Sequence, residues 1–346
     1  MNPQAKLISI LSLLLGTTIT ISSNHWVMAW TGLEINTLAI LPLISKPHHP
    51  RAIEAATKYF LTQATASTLL LFSSTTNALL TGQWDITQLK HPIPCLLLTT
   101  AISIKLGLVP FHFWFPEVLQ GSPLTTSLLL ATAMKFPPIT LLLLTSHSLN
   151  YTLLTIMAIA STALGGWAGL NQTQIRKILA FSSISHLGWM TIIIIYNPKL
   201  TLITFYLYCM MTAAIFLTLE ATKILKLSSM MTAWTKIPSL NATLMLALLS
   251  LAGLPPLTGF LPKWLIIQEL TKQEMTSTAT IIALLSLLNL FFYLRLAYCS
   301  TITLPPNLTN YMKQWHTNKS VNTLTTTLTA LTMLLLPLSP MLFLIS

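Results

Sequence analysis

Five ionisable side chains stand inside long apolar runs. Glu34 lies in AWTGLEINTLAI, Lys105 in AISIKLGLVP, Lys135 in LATAMKFPPI, His186 in FSSISHLGWM and Lys263 in GFLPKW. On a lenient insertion scale, a charge at the centre of a bilayer costs roughly 2.5–3.5 kcal/mol, so four such groups cost on the order of 10 kcal/mol unless paired, hydrated or neutral. That is comparable to the whole stability of a domain, and it implies a use. The chemistry within reach is proton transfer. A lysine taken out of water holds its proton less firmly, and a nearby carboxylate restores the hold. A carboxylate that shifts can therefore load or release a proton. Glu34 is the candidate modulating acid, and Lys105 and Lys135 are the candidate carriers. His186, with Ser182, Ser183 and Ser185 beside it, is either a proton shuttle or a hydrogen-bonded structural histidine. Two blander readings stay open for the other groups. Lys263 could snorkel toward a span end, and Glu34 could form a static ion pair with one lysine. Lys135 is more than ten residues from either end of the run 122–146, roughly 15 Å of helix, too far for its stem to reach water.

The lysines stand beside helix breakers. The run GLVPFHFWFP, from Gly107 to Pro116, and the run GLPPLTGFLP, from Gly253 to Pro262, share the pattern Gly-Leu-x-Pro-x5-Pro. Lys105 precedes the first and Lys263 follows the second. Proline removes a backbone donor and clashes with the preceding turn. In lipid the freed backbone groups must be satisfied by protein or water. Pro110, Pro255 and Pro256 therefore mark two interrupted helices, and Pro137 with Pro138 suggests a third beside Lys135. Interrupted helices at matching places in a repeat point to a transport site. Packing kinks are the alternative.

The elements that must carry these residues follow from composition. The chain has 346 residues, of which 53% are hydrophobic and 7% charged, with a mean hydropathy of +0.71. A soluble chain carries about 25% charged residues. Ordinary soluble enzymes, disordered chains and nucleic-acid binders are excluded, because the net +11 is scattered and forms no basic patch. Apolar runs separated by polar or Pro-rich breaks predict an all-α polytopic membrane protein. About eleven spans are expected, near 4–23, 26–45, 58–80, 94–116, 122–146, 149–169, 177–196, 199–224, 239–270, 277–299 and 322–345. The broken spans are the fourth and the ninth. A repeat offset by five spans must be inverted, so 1–146 and 149–299 are expected to form two inverted five-helix halves, with 322–345 as an extra C-terminal helix. His186 then occupies the span equivalent to that of Glu34.

The cations suggest an orientation. The side of the N-terminus collects Lys6, Lys46, Arg51, Lys58, Arg176, Lys177, Lys223, Lys226, Lys236, Arg295, Lys313 and Lys319, and the other side Lys90, Lys199 and Lys272. Positive charge collects on the cytoplasm-equivalent side, which is the matrix if the membrane is mitochondrial. The C-terminus then faces the opposite side. Lys6 runs directly into the first span, so insertion without a cleaved presequence is expected. Other charges read as bland, such as Glu54 and Lys58 at i, i+4. His112 and Glu117 end the broken fourth span and are candidates for an entry path. Trp26, Trp84 and Trp234 read as interface anchors. Three scattered cysteines, Cys95, Cys209 and Cys299, offer no metal or cluster site, and no Gly-rich dinucleotide fingerprint is present.

The segments KLGLVPFHFWFPEVLQGSP, LNQTQIRKILAFSSISHLGWM and LAGLPPLTGFLPKW closely resemble the antiporter-like membrane subunits of respiratory complex I, in a shortened animal form, and the likeness runs end to end. The resemblance implies a mitochondrial inner-membrane protein with two inverted five-helix units, each with one broken helix. It carries the family's glutamate onto Glu34, its broken-helix and central lysines onto Lys105 and Lys135, its distal lysine onto Lys263 and its central histidine onto His186. Bacterial relatives have fourteen helices, so three are missing at the N-terminus. It further implies that NADH, FMN, iron–sulfur clusters and ubiquinone are bound on other subunits. The implied partners are the other membrane-arm subunits, including a neighbouring antiporter-like one, and phospholipids such as cardiolipin, with no nucleic acid. Two rivals to a proton-translocating subunit are a stand-alone cation/proton antiporter and a scaffold that only spaces the membrane arm.

Overall fold

Continuous apolar sequence with few charges forms helices, because a helix satisfies every backbone group within one segment. The computed structural model describes residues 3–45, 49–89, 91–233, 238–301 and 323–337. Lys46, Lys90, Trp234, Lys236, Lys313, Lys319 and the end of the run 322–345 lie outside the described residues. Among the described residues, six helical stretches are long and apolar enough to cross a membrane: Pro3–Ser22, Trp26–Ile44, Leu124–Leu144, Tyr151–Leu170, Pro198–Thr222 and Thr276–Thr301. Shorter apolar helices are Pro92–Leu106, Pro238–Ala252 and Thr323–Leu334. The chain is an all-α polytopic membrane protein, and it divides into two units, Met1–Ser161 and Thr162–Ser346.

In the first unit, α1 (Pro3–Ser22) and α2 (Trp26–Ile44) cross where both lack a side chain. A Cβ on Gly16 would stand 2.9 Å from the Gly32 carbonyl, and one on Gly32 would stand 2.9 Å from the Gly16 carbonyl. Small residues of this kind let membrane helices approach closely. α3 (Pro50–Thr81) starts on a proline and stops at Gly82, with φ 72°. It begins eight residues before the apolar run expected at 58–80, because Arg51, Glu54 and Lys58 continue the same helix. α4 (Pro92–Leu106) ends at Gly107, whose φ of 76° suits glycine far better than any other residue. The Val109–Pro110 bond is cis. α5 (Trp114–Gly121) follows, then α6 (Leu124–Ala131), a 3-10 turn at Ala133–Lys135 and α7 (Phe136–Leu144). That turn is the third break, and Pro137 and Pro138 begin the helix after it. Lys58 Nζ ties α3 to α5, donating to Glu54 at 2.5 Å and to Glu117 at 2.6 Å. α8 (Tyr151–Leu170) contains the boundary between the units.

The second unit holds α9 (Ile175–Ile193), α10 (Pro198–Thr222), α11 (Leu227–Ala233), α12 (Pro238–Ala252), α13 (Phe260–Lys272), α14 (Thr276–Thr301) and α15 (Thr323–Leu334). α12 ends at Gly253 with φ 82°, and Pro255 and Pro256 separate it from α13. Among the described residues, each unit also holds one isolated antiparallel bridge just before a helix. His25 pairs with Asp85 ahead of α2, and Gln174 pairs with Lys226 ahead of α9. In each case the partner follows the next long helix, α3 or α10.

Candidate functional site

Lys105 occupies the last turn of α4 and is 6% exposed. Lys135 ends the 3-10 turn and is 3% exposed. Both line one cavity, together with Asn36 and Thr37 of α2 and Tyr59 and Gln63 of α3. The space open to the centre of a water molecule is about 20 Å³, enough for one ordered water. Breaks position both lysines. α4 must stop at Gly107, and the amides of Gly107 and Leu108 close its end by donating to Ser103 O at 2.9 and 3.0 Å. The Ile104 carbonyl accepts from both the Gly107 amide at 3.2 Å and the Trp114 indole at 3.1 Å. Pro137 and Pro138 cannot donate to the preceding turn, which leaves Lys135 between two half-helices.

The lysines differ in their surroundings. Lys135 Nζ lies 4.6 Å from the centroid of the Phe115 ring, within range of a cation–π attraction. Lys105 Nζ has no hydrogen-bond partner among the described residues. Glu34 is half-buried on α2, one residue round from the cavity face. Its Oε2 accepts from Thr37 Oγ1 at 3.1 Å, and Thr37 itself lines the cavity. Glu34 interacts electrostatically with Lys105 and Tyr59, but it makes no ion pair with Lys105. The static pair that sequence left open is therefore not formed with that lysine.

His186 and Lys263 belong to the second unit. His186 is half-buried on α9, with its ring centroid 5.6 Å from that of Tyr208. The neighbouring hydroxyls of Ser182, Ser183 and Ser185 donate to carbonyls of their own helix at 2.8, 2.7 and 2.6 Å. Each keeps only acceptor capacity for a partner. Lys263 Nζ donates to the Ala252 carbonyl at 2.7 Å and so caps the end of α12. Gly253 makes room, since a Cβ there would stand 2.9 Å from Nζ. His112 is buried, and Glu117 is half-exposed on Lys58.

The structure thus brings Lys105 and Lys135 to one cavity with Glu34 beside it. Sequence reasoning passed over Asn36, Thr37, Tyr59 and Gln63. The available signal was polar residues at positions 36, 37 and 63 inside apolar runs. Among the described residues, no group of three or more His, Cys, Asp or Glu is gathered so as to hold a metal ion.

Several known proteins are similar to this chain. The family described as NADH:quinone oxidoreductase/Mrp antiporter, transmembrane region, matches residues 23–289, and the one described as NADH dehydrogenase subunit 2 C-terminus matches residues 290–343. Curated relatives named NADH-ubiquinone oxidoreductase chain 2 include those of Sibirionetta formosa, 76% identical, and Struthio camelus, 75% identical, each over 99% of both chains. That of Gallus gallus is 74% identical with the same coverage. Among solved structures, a chain of respiratory complex I from Thermus thermophilus with bound aureothin superposes with a TM-score of 0.84 at 26% identity, covering 97% of this chain and 80% of that one. A chain of the Mrp complex from Dietzia sp. DQ12-45-1b gives 0.81 at 16% identity, covering 97% and 75%, which speaks to the fold alone. The chain belongs to the NADH:quinone oxidoreductase/Mrp antiporter transmembrane family.

Proposed function

We propose that this chain is the subunit-2 component of the membrane arm of an H⁺-translocating NADH:ubiquinone oxidoreductase, and that it moves protons in response to redox chemistry on other subunits. The reading places it in the mitochondrial inner membrane as a multi-pass protein, with its N-terminus toward the matrix and its C-terminus toward the intermembrane space. NADH, FMN, iron–sulfur clusters and ubiquinone belong to other subunits in this reading. Its partners are the other membrane-arm subunits, a neighbouring antiporter-like one among them, and phospholipids such as cardiolipin. The observation that carries the reading is the shared cavity of Lys105 and Lys135, in a chain of this family.

In the proposed cycle Glu34 is the switchable acid. Drawn toward Lys105, its carboxylate favours the ammonium form, and drawn away it favours release. The Thr37 hydroxyl bond offers the carboxylate a resting place on its own helix. Lys105 passes the proton to Lys135, and His186 and Lys263 continue the route. Two inverted halves, 1–146 and 149–299, are part of the proposal. It is supported by a positive-φ glycine ending α4 and another ending α12, and by the two antiparallel bridges ahead of α2 and α9. Lys263 has a structural reading as well, favoured by its bond to Ala252.

The test is Lys135→Met in the assembled, membrane-reconstituted complex. Normal assembly with reduced turnover and proton pumping is expected. Unchanged rate and proton-to-electron ratio would leave the chain a scaffold.

A further inference from the structure

Among the side chains of the Lys105–Lys135 cavity that have no part in the steps above is Asn36. Asn36 is 1% exposed and lines the cavity, yet neither its Nδ2 nor its Oδ1 has a hydrogen-bond partner among the described residues. Burying a carboxamide without partners is unfavourable, and leucine would fill similar space without that penalty. The amide is also held in place. A Cβ on Gly16 would stand 2.4 Å from its Oδ1, so the backbone of α1 packs directly against one side of it. Lys105 Nζ, in the same cavity, is likewise unpartnered among the described residues, and Gln63, 4% exposed, also lines it. A buried water is held by two to four polar partners, and the space of about 20 Å³ accommodates one.

We propose that Asn36 is a positioning residue, whose carboxamide holds a water beside Lys105 through which the proton passes toward Lys135. The inference rests on the relay reading above. In the step, the water oxygen takes a proton from the Lys105 ammonium, and the water gives one of its own protons to the Lys135 amine. The water is regenerated, Lys105 becomes neutral, and one proton has moved. With Oδ1 against α1, the Nδ2 group is left to donate to the water oxygen. The carboxamide does not titrate, so it orients the water without trapping the charge.

The test compares Asn36→Leu, Asn36→Ser and Lys105→Met in the assembled, reconstituted complex. Asn36→Leu is expected to lower coupled turnover about tenfold or more with assembly intact and to raise the solvent deuterium isotope effect, as proton transfer becomes limiting. Asn36→Ser is expected to restore most of the rate. Turnover at the wild-type level in Asn36→Leu while Lys105→Met is slow overturns the role of Asn36 and leaves the relay standing. Wild-type turnover in both overturns the relay and this inference together. Should Asn36→Leu not assemble, a high-resolution map of the unaltered complex decides. A water within about 3.2 Å of both the Asn36 carboxamide and Lys105 Nζ supports the proposal, and a cavity without one overturns it.

Discussion

Lys263 Nζ donates a 2.7 Å hydrogen bond to the carbonyl of Ala252, the last residue of α12. The lysine after the second break therefore closes the helix before it. At the first break the Gly107 amide and the Trp114 indole donate to Ile104 O, and Lys105 Nζ stays unpartnered among the described residues. Of the two breaks, one thus has its lysine engaged by backbone and the other does not. A cation at a helix C-terminus also meets the negative end of the dipole.

Lys263→Met removes that cap and leaves the Ala252 carbonyl short of a donor. A lost buried hydrogen bond of this kind costs about 1–3 kcal/mol. Lower thermal stability of the complex and a smaller assembled fraction on native gels are expected, in addition to any loss of pumping. Full stability with a selective loss of pumping would show that Lys263 acts only as a carrier.

Gly259→Ala is expected to be far more damaging. A Cβ there would stand 1.7 Å from the Ser250 carbonyl and 3.3 Å from Met211 Sδ. The backbone that links α12 to α13 would have to move, at the upper end of overpacking costs or beyond, about 3 kcal/mol. Loss of the assembled subunit on immunoblots is the expected readout. Wild-type amounts would show that the break re-forms elsewhere.

The Glu54–Lys58 contact at the start of α3 should weaken in acid. Glu54 precedes the apolar run of α3, and the Lys58 hydrogen bond, then the Lys58 charge, hold its carboxyl below the usual carboxylate range. A depressed folded value means that its contribution is complete above about pH 4.3 and is lost as pH falls through the lower folded value. Both side chains are well exposed, so salt should screen the effect. Proteolysis near residues 49–54 by an acid-active protease is expected to quicken as pH falls below about 4.3, and Lys58→Met should abolish the difference. Equal rates in the unaltered protein would show that the start of α3 does not depend on this contact.

Much of this was legible in the sequence, because hydropathy and breakers act locally. Gly107 and Gly253 end helices where the repeated motif put the breaks, and Pro137–Pro138 mark the third break at Lys135. The partners of the buried groups were not legible, since they come from other helices. Nothing in AISIKLGLVP reveals that Lys105 meets Gln63 and Asn36 across one cavity. Helix ends were also obscured where charged residues continue a helix past its apolar run, as Arg51 and Glu54 do in α3. The connection 225–238 holds the short helix α11, set up when Ile175 N and Leu227 N pair with Leu225 O and Thr173 O at 3.2 Å, a long-range contact with no local signature.

The most direct test of the central claim, that Lys105 and Lys135 pass a proton in series, is a double-mutant cycle. Turnover and protons moved per NADH would be measured in the reconstituted complex carrying Lys105→Met, Lys135→Met or both. Each single change is expected to lower coupled turnover about tenfold or more, with the double variant no slower than the slower single one, because groups acting as one unit are non-additive. Wild-type rate and stoichiometry in either single variant, or losses that multiply in the double, would contradict it.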